Sequence, residues 1–317
     1  MLAQLEKEFP NNLRVVYRHF PLIGTPEQPM HDKAAISAQA AEAAGLQGQF
    51  WEMYELLMSR QGEWAALTPE QFESWVIENA AELDLNISRF KQDLTSEAIV
   101  SKVRATWDRG VEIGLPGTPF MLLNGLPYNS GLDYSTLSAV IQLTLIQDRQ
   151  YNDCPPMVID PAKKYIATIK TAKGDIVVEL YADLTPLAVN NFVFLARNGW
   201  YDGVTFHRVL PGFVAQAGDP SGTGYGGPGY AFKNETSPGL NFDQAGLLAM
   251  ANAGPDSNGS QFFITFAPAT QLNGGYTIFG RVISGMDVAE SLTPRDPSQN
   301  ANLPPGDPII SITIEEK

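Results

Sequence analysis

The sequence predicts a multidomain chain. Its first half is an α/β region with a helical block, and its second half is a mainly-β closed barrel with flanking helices. Three observations carry this prediction. The 317 residues suffice for two domains at the usual size of about 100–200 residues each. Composition changes along the chain: residues 1–160 hold 9 glycines and a net charge of −10, residues 161–317 hold 19 glycines and a net charge of −4. The pattern of elements also changes, from helical spacing to short β-branched runs separated by Gly-rich turns.

Taken in order, Leu2, Leu5 and Phe9 fall at helical spacing over residues 1–9. Leu13 to Tyr17 is a short run suited to a strand, and Pro21 to Pro29 reads as loop. Asp32 to Ser59 reads as helix interrupted at Gly45 and Gly48. Thr68-Pro69-Glu70-Gln71 starts a helix: a Thr cap, Pro at the first position, Gln three residues after the cap. That helix runs to about Ala81. The next holds Phe90, Leu94, Val103 and Trp107 and ends near Gly110. Phe120 to Leu123 reads as a buried strand stopped by Asn124-Gly125, and Leu137 to Ile146 as the last helix of the region. Residues 149–162, with Cys154-Pro155-Pro156 and Asp160-Pro161, form a Pro-rich linker between a domain at 1–148 and one at 163–317.

Beyond Lys164, Tyr165–Lys170 and Ile176–Leu180 read as strands joined by a hairpin turn at Ala172-Lys173-Gly174-Asp175. Thr185-Pro186 begins a helix that Asn198-Gly199 stops. Val204–Val209, Phe213–Gln216, Leu247–Met250, Gln261–Thr265, Thr277–Val282 and Ile309–Ile314 are short strands.

Composition narrows the function. Apolar residues make up 44% and charged residues 18%, which excludes whole-chain disorder. Cys154 is the single cysteine, so disulfide scaffolds, Cys-x-x-Cys pairs and Cys-rich zinc sites are excluded. A net charge of −14 with no basic stripe argues against nucleic acid as a partner. No stretch approaches the ~18 apolar residues of a membrane span, and the N-terminus lacks a signal core.

The informative residues lie between 206 and 280. They read Phe206-His207-Arg208-Val209-Leu210-Pro211-Gly212-Phe213-Val214-Ala215-Gln216, then Ala251-Asn252-Ala253-Gly254-Pro255, then Asn258-Gly259-Ser260-Gln261-Phe262-Phe263-Ile264, then Leu272-Asn273-Gly274. This pattern resembles the cyclophilins, a family of peptidyl-prolyl cis/trans isomerases, across residues 163–317. The chemistry accounts for the residue types. Rotation about a peptide C–N bond costs about 18–20 kcal/mol because resonance gives it double-bond character. In the twisted transition state that resonance is lost, and the proline nitrogen becomes a better acceptor. A fixed guanidinium then binds the transition state better than the ground state. No nucleophile, metal or cofactor is needed.

The resemblance implies that Arg208 is that donor. Phe213, Val214, Phe263 and Leu272 would form the slot for the proline ring, and Gln216 would hold the substrate carbonyl. Ala251, Asn252 and Ala253 would run along the peptide, with the Asn252 backbone pairing to it. Gln261 would position Arg208 and line the floor, Gly224 would sit in the loop beside the groove, and Tyr276 would stand at its edge. Three positions depart from the best-known eukaryotic pattern. Val214 replaces a methionine, Tyr276 a histidine, and Gln271 the rim tryptophan that supports cyclosporin binding. The substrates implied are unfolded or flexible X–Pro polypeptides. A module that binds such chains without turnover is the competing reading.

Neighbouring features have plainer readings. Strand alternation sends Phe262 to the core and Phe263 to the pocket. His207 points away from Arg208, and the chemistry needs no base. Ser221 to Gly227 lacks the Gly-Lys-Ser/Thr ending of a phosphate loop and reads as a turn-rich loop.

In the first region, Arg14-Val15-Val16-Tyr17-Arg18-His19-Phe20-Pro21-Leu22, Gln47-Gly48-Gln49-Phe50-Trp51-Glu52-Met53 and Gly117-Thr118-Pro119-Phe120 resemble the DsbA-like branch of the thioredoxin family. The resemblance implies a cis peptide at Thr118-Pro119. It also implies a first strand and a Cys-x-x-Cys ahead of residues 1–9. Both are absent, so the domain is expected to be incomplete, by truncation or by loss of its redox half, and to be either unstable alone or completed by a partner strand. Such a domain suggests an extracytoplasmic setting, where disulfides form, and makes an intact thiol oxidoreductase a further competing reading.

Overall fold

The computed structural model describes residues 1–24, 30–236, 239–300 and 303–317; part of the loop expected at Pro21–Pro29 lies outside the described residues. The chain forms two compact units, Arg14–Asn129, and Met1–Leu13 together with Ser130–Lys317. The first helix, α1 (Leu2–Glu8), belongs to the larger of them.

The smaller unit is mostly helical. It holds α2 (Ala34–Gly45), α3 (Phe50–Ser59), α4 (Gln61–Trp64), α5 (Pro69–Asn79), α6 (Ile87–Leu94) and α7 (Glu97–Glu112). Its core is built on the alanines of α2. Ala40, Ala41, Ala43 and Ala44 let the backbone approach Met53, Leu56 and Leu57 of α3, with Phe72, Val76, Phe90 and Leu94 closing the cluster. The start of α5 is reciprocal. Thr68 Oγ1 accepts from the Gln71 N–H at 3.3 Å, and Gln71 Oε1 accepts from the Thr68 N–H at 3.0 Å, which satisfies two otherwise orphaned donors.

In the first half of the chain three elements differ from the expectation. The helix expected through Phe90 and Trp107 is two helices, because Ser96 Oγ accepts from the Ile99 N–H at 3.4 Å and caps α7. A serine that bonds the backbone in this way starts a new helix instead of continuing the old one. Leu13–Tyr17 keeps the alternation of a strand, with Leu13, Val15 and Tyr17 half-buried and Arg14 and Val16 exposed, but it has no ladder. No described strand runs beside it to supply one. The buried strand expected at Phe120–Leu123 shrinks to β1 (Leu122–Leu123), paired with β2 (Leu126–Pro127). Phe120 and Leu122 are exposed. The Asn124-Gly125 turn has φ of 49° and 82°, the left-handed pair that a two-residue hairpin requires. The Thr118–Pro119 peptide is cis.

In the larger unit α8 (Tyr134–Leu145) packs on α1, with the Glu8 carboxylate accepting from Tyr134 Oη at 2.6 Å and Ser138 Oγ at 3.0 Å. Residues 149–162 run against the barrel. The Arg149 guanidinium donates to the Trp200 carbonyl at 2.9 Å, the Tyr151 N–H to Pro228 O at 2.8 Å, and the Val158 N–H to Asn190 Oδ1 at 2.6 Å. Ile159 is part of the barrel's core.

The barrel contains β3 (Tyr165–Thr171), β4 (Gly174–Leu180), α9 (Pro186–Arg197), β5 (Arg208–Leu210), β6 (Val214–Ala217), β7 (Leu247–Met250), β8 (Phe262–Thr265), β9 (Ile278–Ser284), α10 (Met286–Glu290) and β10 (Ile309–Glu316). All pairings are antiparallel, in the order β10-β3-β4-β9-β7-β8-β6-β5. The strand expected at Val204–Val209 divides its work. Only Arg208 onward joins β6, while Phe206 N–H donates to Asp307 O at 2.9 Å and Ile309 N–H to Val204 O at 2.8 Å. These bonds bring the two ends of the sheet together. Inside lie Tyr165, Phe192, Tyr201, Phe206, Phe262 and Phe279, all fully buried. The N-terminus of α9 is held by Glu235, whose carboxylate accepts from the Leu187 and Ala188 N–H groups at 3.1 and 2.8 Å. A negative charge is favoured there.

Candidate functional site

Strand alternation gives the sheet two chemically different faces around β6 and β8. Ala215, Ala217, Phe262 and Ile264 point into the barrel core. Val214 and Phe263 turn the other way, into a separate apolar cluster with Phe242, Leu247, Ala249, Ala269 and Ile278. Half-buried Phe213, Leu272, Tyr276 and Ala251 pack on that cluster. Phe263 stacks on Phe242 with ring centres 5.9 Å apart and receives Tyr276 edge-on at 5.6 Å. Five of the residues singled out in the sequence, Phe213, Val214, Phe263, Leu272 and Tyr276, thus share one apolar patch on the outer face.

Arg208, at the start of β5, lies opposite Gln216 of β6 in register. Its guanidinium carbon is 5.9 Å from the centre of the Phe213 ring. Arg208 is half-buried, and among the described residues its guanidinium makes no hydrogen bond or ion pair. Gln216 Nε2 donates to Gln261 Oε1 at 2.9 Å, and Gln261 Nε2 donates to both Gly224 O and Gly226 O at 2.9 Å. Gln261 is therefore fixed through Gln216 and the loop, and no direct bond joins it to Arg208.

The Ala251 N–H donates to Gln261 O at 2.9 Å. Among the described residues the backbone N–H and C=O of Asn252 are unpaired, while its side chain spans Gly275 O at 3.0 Å and the Gly254 N–H at 3.3 Å. A side chain held at both ends leaves an orderly, open backbone edge. Ala253 is exposed, its N–H bonded to Ser257 Oγ at 2.9 Å. Gln271 is exposed beside Leu272.

His207 is buried on the other side of β5 from Arg208, and neither ring nitrogen has a partner among the described residues. Burial pushes its pKa down to about 4, opposed by the nearby Asp219 charge and assisted by Arg295 and Arg208. Sequence reasoning missed Asp219. It is fully buried and gathers the loop of residues 219–226 around its carboxylate. The signal was available in Asp219-Pro220-Ser221-Gly222-Thr223, an Asp followed at two and four residues by hydroxyls, which is the composition of an Asx-type turn.

The model of the cyclophilin type peptidyl-prolyl cis-trans isomerases matches residues 166–314, and a thioredoxin model matches residues 3–143. The "Peptidyl-prolyl cis-trans isomerase-like 1" of Gibberella zeae is 52% identical over 127 residues, covering 39% of this chain and 78% of that protein. "Peptidyl-prolyl cis-trans isomerase A" of Mycobacterium tuberculosis is 44% identical over 181 residues, covering 51% of this chain and 98% of that protein. The crystal structure of a Cryptosporidium parvum cyclophilin type isomerase is 38% identical, with a TM-score of 0.45, covering 49% of this chain and 99% of that one. The chain belongs to the cyclophilin-type peptidyl-prolyl cis-trans isomerases, and its N-terminal region is thioredoxin-like.

Proposed function

We propose that Arg208 is the donor that catalyses isomerisation of X–Pro bonds in unfolded or flexible polypeptides. The proline ring enters the patch formed by Phe213, Val214, Phe263 and Leu272, with Tyr276 at its edge. The substrate chain pairs with the Asn252 backbone between Ala251 and Ala253, and Gln216 donates to a substrate carbonyl. Gln261 and Gly224 hold Gln216 in place. The observation that carries the reading is half-buried Arg208, whose guanidinium stands over the Phe213 ring with no hydrogen bond or ion pair among the described residues. A guanidinium held so is available to a nitrogen lone pair that exists only in the twisted state. One charge-assisted hydrogen bond contributes about 1.5–3 kcal/mol, so Arg208→Ala is expected to slow catalysis roughly ten- to a hundred-fold.

The test is NMR exchange between the cis and trans forms of an X–Pro peptide, with the wild-type chain and with Arg208→Ala. Peptide affinity is measured alongside. Acceleration lost in the variant with affinity largely retained supports the proposal. Binding without acceleration by the wild-type chain refutes it and leaves a proline-binding module.

We further propose that the N-terminal region takes a partner strand along Arg14–Tyr17. The support is a segment of alternating burial whose backbone groups are unpaired among the described residues.

A further inference from the structure

The loop beside the groove is built around a carboxylate that never reaches the groove. Asp219 is fully buried. Its Oδ1 accepts from the Ser221 N–H at 2.8 Å and from Ser221 Oγ at 2.6 Å. Its Oδ2 accepts from the Gly224 N–H at 2.7 Å, the Gly226 N–H at 3.0 Å and Thr223 Oγ1 at 3.3 Å. Five donors around one buried anion are a complete satisfaction of its lone pairs. Two glycines make the wrap sterically feasible. Gly224 adopts φ +84°, and a Cβ on Gly226 would collide with the Asp219 carboxylate.

The two residues that donate to Asp219 from the far side of the loop also carry the acceptors for Gln261. Gly224 and Gly226 give their N–H groups to Asp219 and their carbonyls to Gln261 Nε2. Both hydrogens of the Gln261 amide are consumed, so its oxygen is oriented toward Gln216 Nε2 at 2.9 Å. That leaves the Gln216 oxygen and its second N–H directed by the pair. A neutral loop would present the same two carbonyls only if something else fixed the peptide planes. Here the buried charge does so. The His207 ring forms the floor under the same loop: a Cβ on Gly224 would lie 3.5 Å from its Cδ2.

We infer that Asp219 is a positioning residue for the isomerase site, acting through Gly224 and Gly226 on Gln261 and thence on Gln216. The inference rests on the site assignment proposed above. Its content is directional. Removing the charge of Asp219 frees the two carbonyls, unlocks the Gln261 amide and lets Gln216 rotate, with Arg208 and the apolar patch left in place.

The experiment is a double-mutant cycle on the full chain, using the X–Pro exchange assay with wild type, Asp219→Asn, Gln261→Ala and the double variant. Each single variant is expected to lower the rate about tenfold. The double variant is expected to be no slower than the worse single one, because residues acting through one another are not additive. In the NMR spectrum the doubly bonded Gln261 side-chain amide protons should be slow to exchange in wild type and fast in Asp219→Asn. If Asp219→Asn does not fold, Ser221→Ala combined with Thr223→Val removes two of the five donors and enters the same cycle. Additive losses, or an unchanged rate with an unchanged Gln261 amide, overturn the inference while the wild-type and Arg208→Ala rates leave the site assignment standing. An inactive wild-type chain overturns both and is recognised from its own trace.

Discussion

The buried imidazole of His207 should make this protein's stability fall with acid in a way that one substitution abolishes. Burial holds the folded-state pKa at about 4 against an ordinary value of 6.5, with Asp219 opposing and Arg295 and Arg208 reinforcing the shift. Above about pH 6.5 the ring is neutral in both the folded and the unfolded chain, and it contributes no pH dependence. Between about 6.5 and 4 the unfolded chain binds a proton that the folded chain refuses, so stability drops as pH falls. The gap corresponds to about 3 kcal/mol at about 1.36 kcal/mol per pH unit, a large part of the ~5–15 kcal/mol that keeps a domain folded. His207→Phe keeps a ring in the cavity and removes the titration. Urea unfolding of both chains at several pH values from 7 to 4 isolates the effect, since carboxylates such as Glu235, which burial pushes upward despite its two backbone donors, cancel in the difference. Wild type should lose up to about 3 kcal/mol relative to the variant by pH 4. A difference that stays flat over that range, or one that grows in favour of wild type on acidification, refutes the reasoning.

The two faces of β8 should separate in their phenotypes. Phe262 is fully buried with edge contacts to Phe192 and Tyr201 at 5.4 and 5.5 Å, so Phe262→Ala should cost about 3–5 kcal/mol in urea unfolding. Phe263→Ala should weaken binding of an X–Pro peptide by a larger factor than Phe262→Ala does, measured by titration under folded conditions. In the N-terminal region, the amides of Arg14–Tyr17 should exchange with solvent at rates near those of free peptide, since among the described residues they have no acceptor. Protection of these amides in the isolated chain would count against a vacant strand position.

Much of the barrel was legible because its strands alternate. Tyr165, Ala167 and Ile169 point inward while Ile166 and Thr168 are partly open, and a period of two is a pattern that neighbouring residues alone impose. What the sequence misplaced depended on distant partners. Val204–Phe206 has the composition of a strand, but whether it extends β5 or meets Asp307–Ile309 is decided about a hundred residues away. Leu13–Tyr17 and Phe120–Leu123 have strand composition and receive little or no ladder, because a strand requires a neighbour that no local signal supplies. The break at Ser96 was local and was outweighed by the apolar spacing across it. The residues of the proposed site lie in contiguous motifs, so the sequence itself names them as candidates. Asp219 could not be named so, since its role is defined by donors arriving from Ser221, Thr223, Gly224 and Gly226 and only then by Gln261.

The position of Gln261 shows how the sheet keeps chemistry apart from stability. On β8 and the residue before it, Phe263 joins the outer apolar patch and Gln261 bonds Gln216, while Phe262 fills the barrel. Across the ladder, Gln216 pairs in register with Phe263 and with Arg208, while Ala215 and Ala217 fill the core between them. The face proposed for catalysis therefore rests on strands whose other side is anchored by fully buried aromatics. Small side chains at Ala215 and Ala217 leave those aromatics room to pack. A polar group on such a face loses little freedom on binding substrate, because the backbone beneath it is already fixed. The same geometry gives the loop a part in the proposed site. Sheet pairing orients Arg208 and Gln216 only as far as the Cβ. The far ends of the side chains must be set by contacts outside the sheet, and for Gln216 the described contact is Gln261, held by the loop that Asp219 closes.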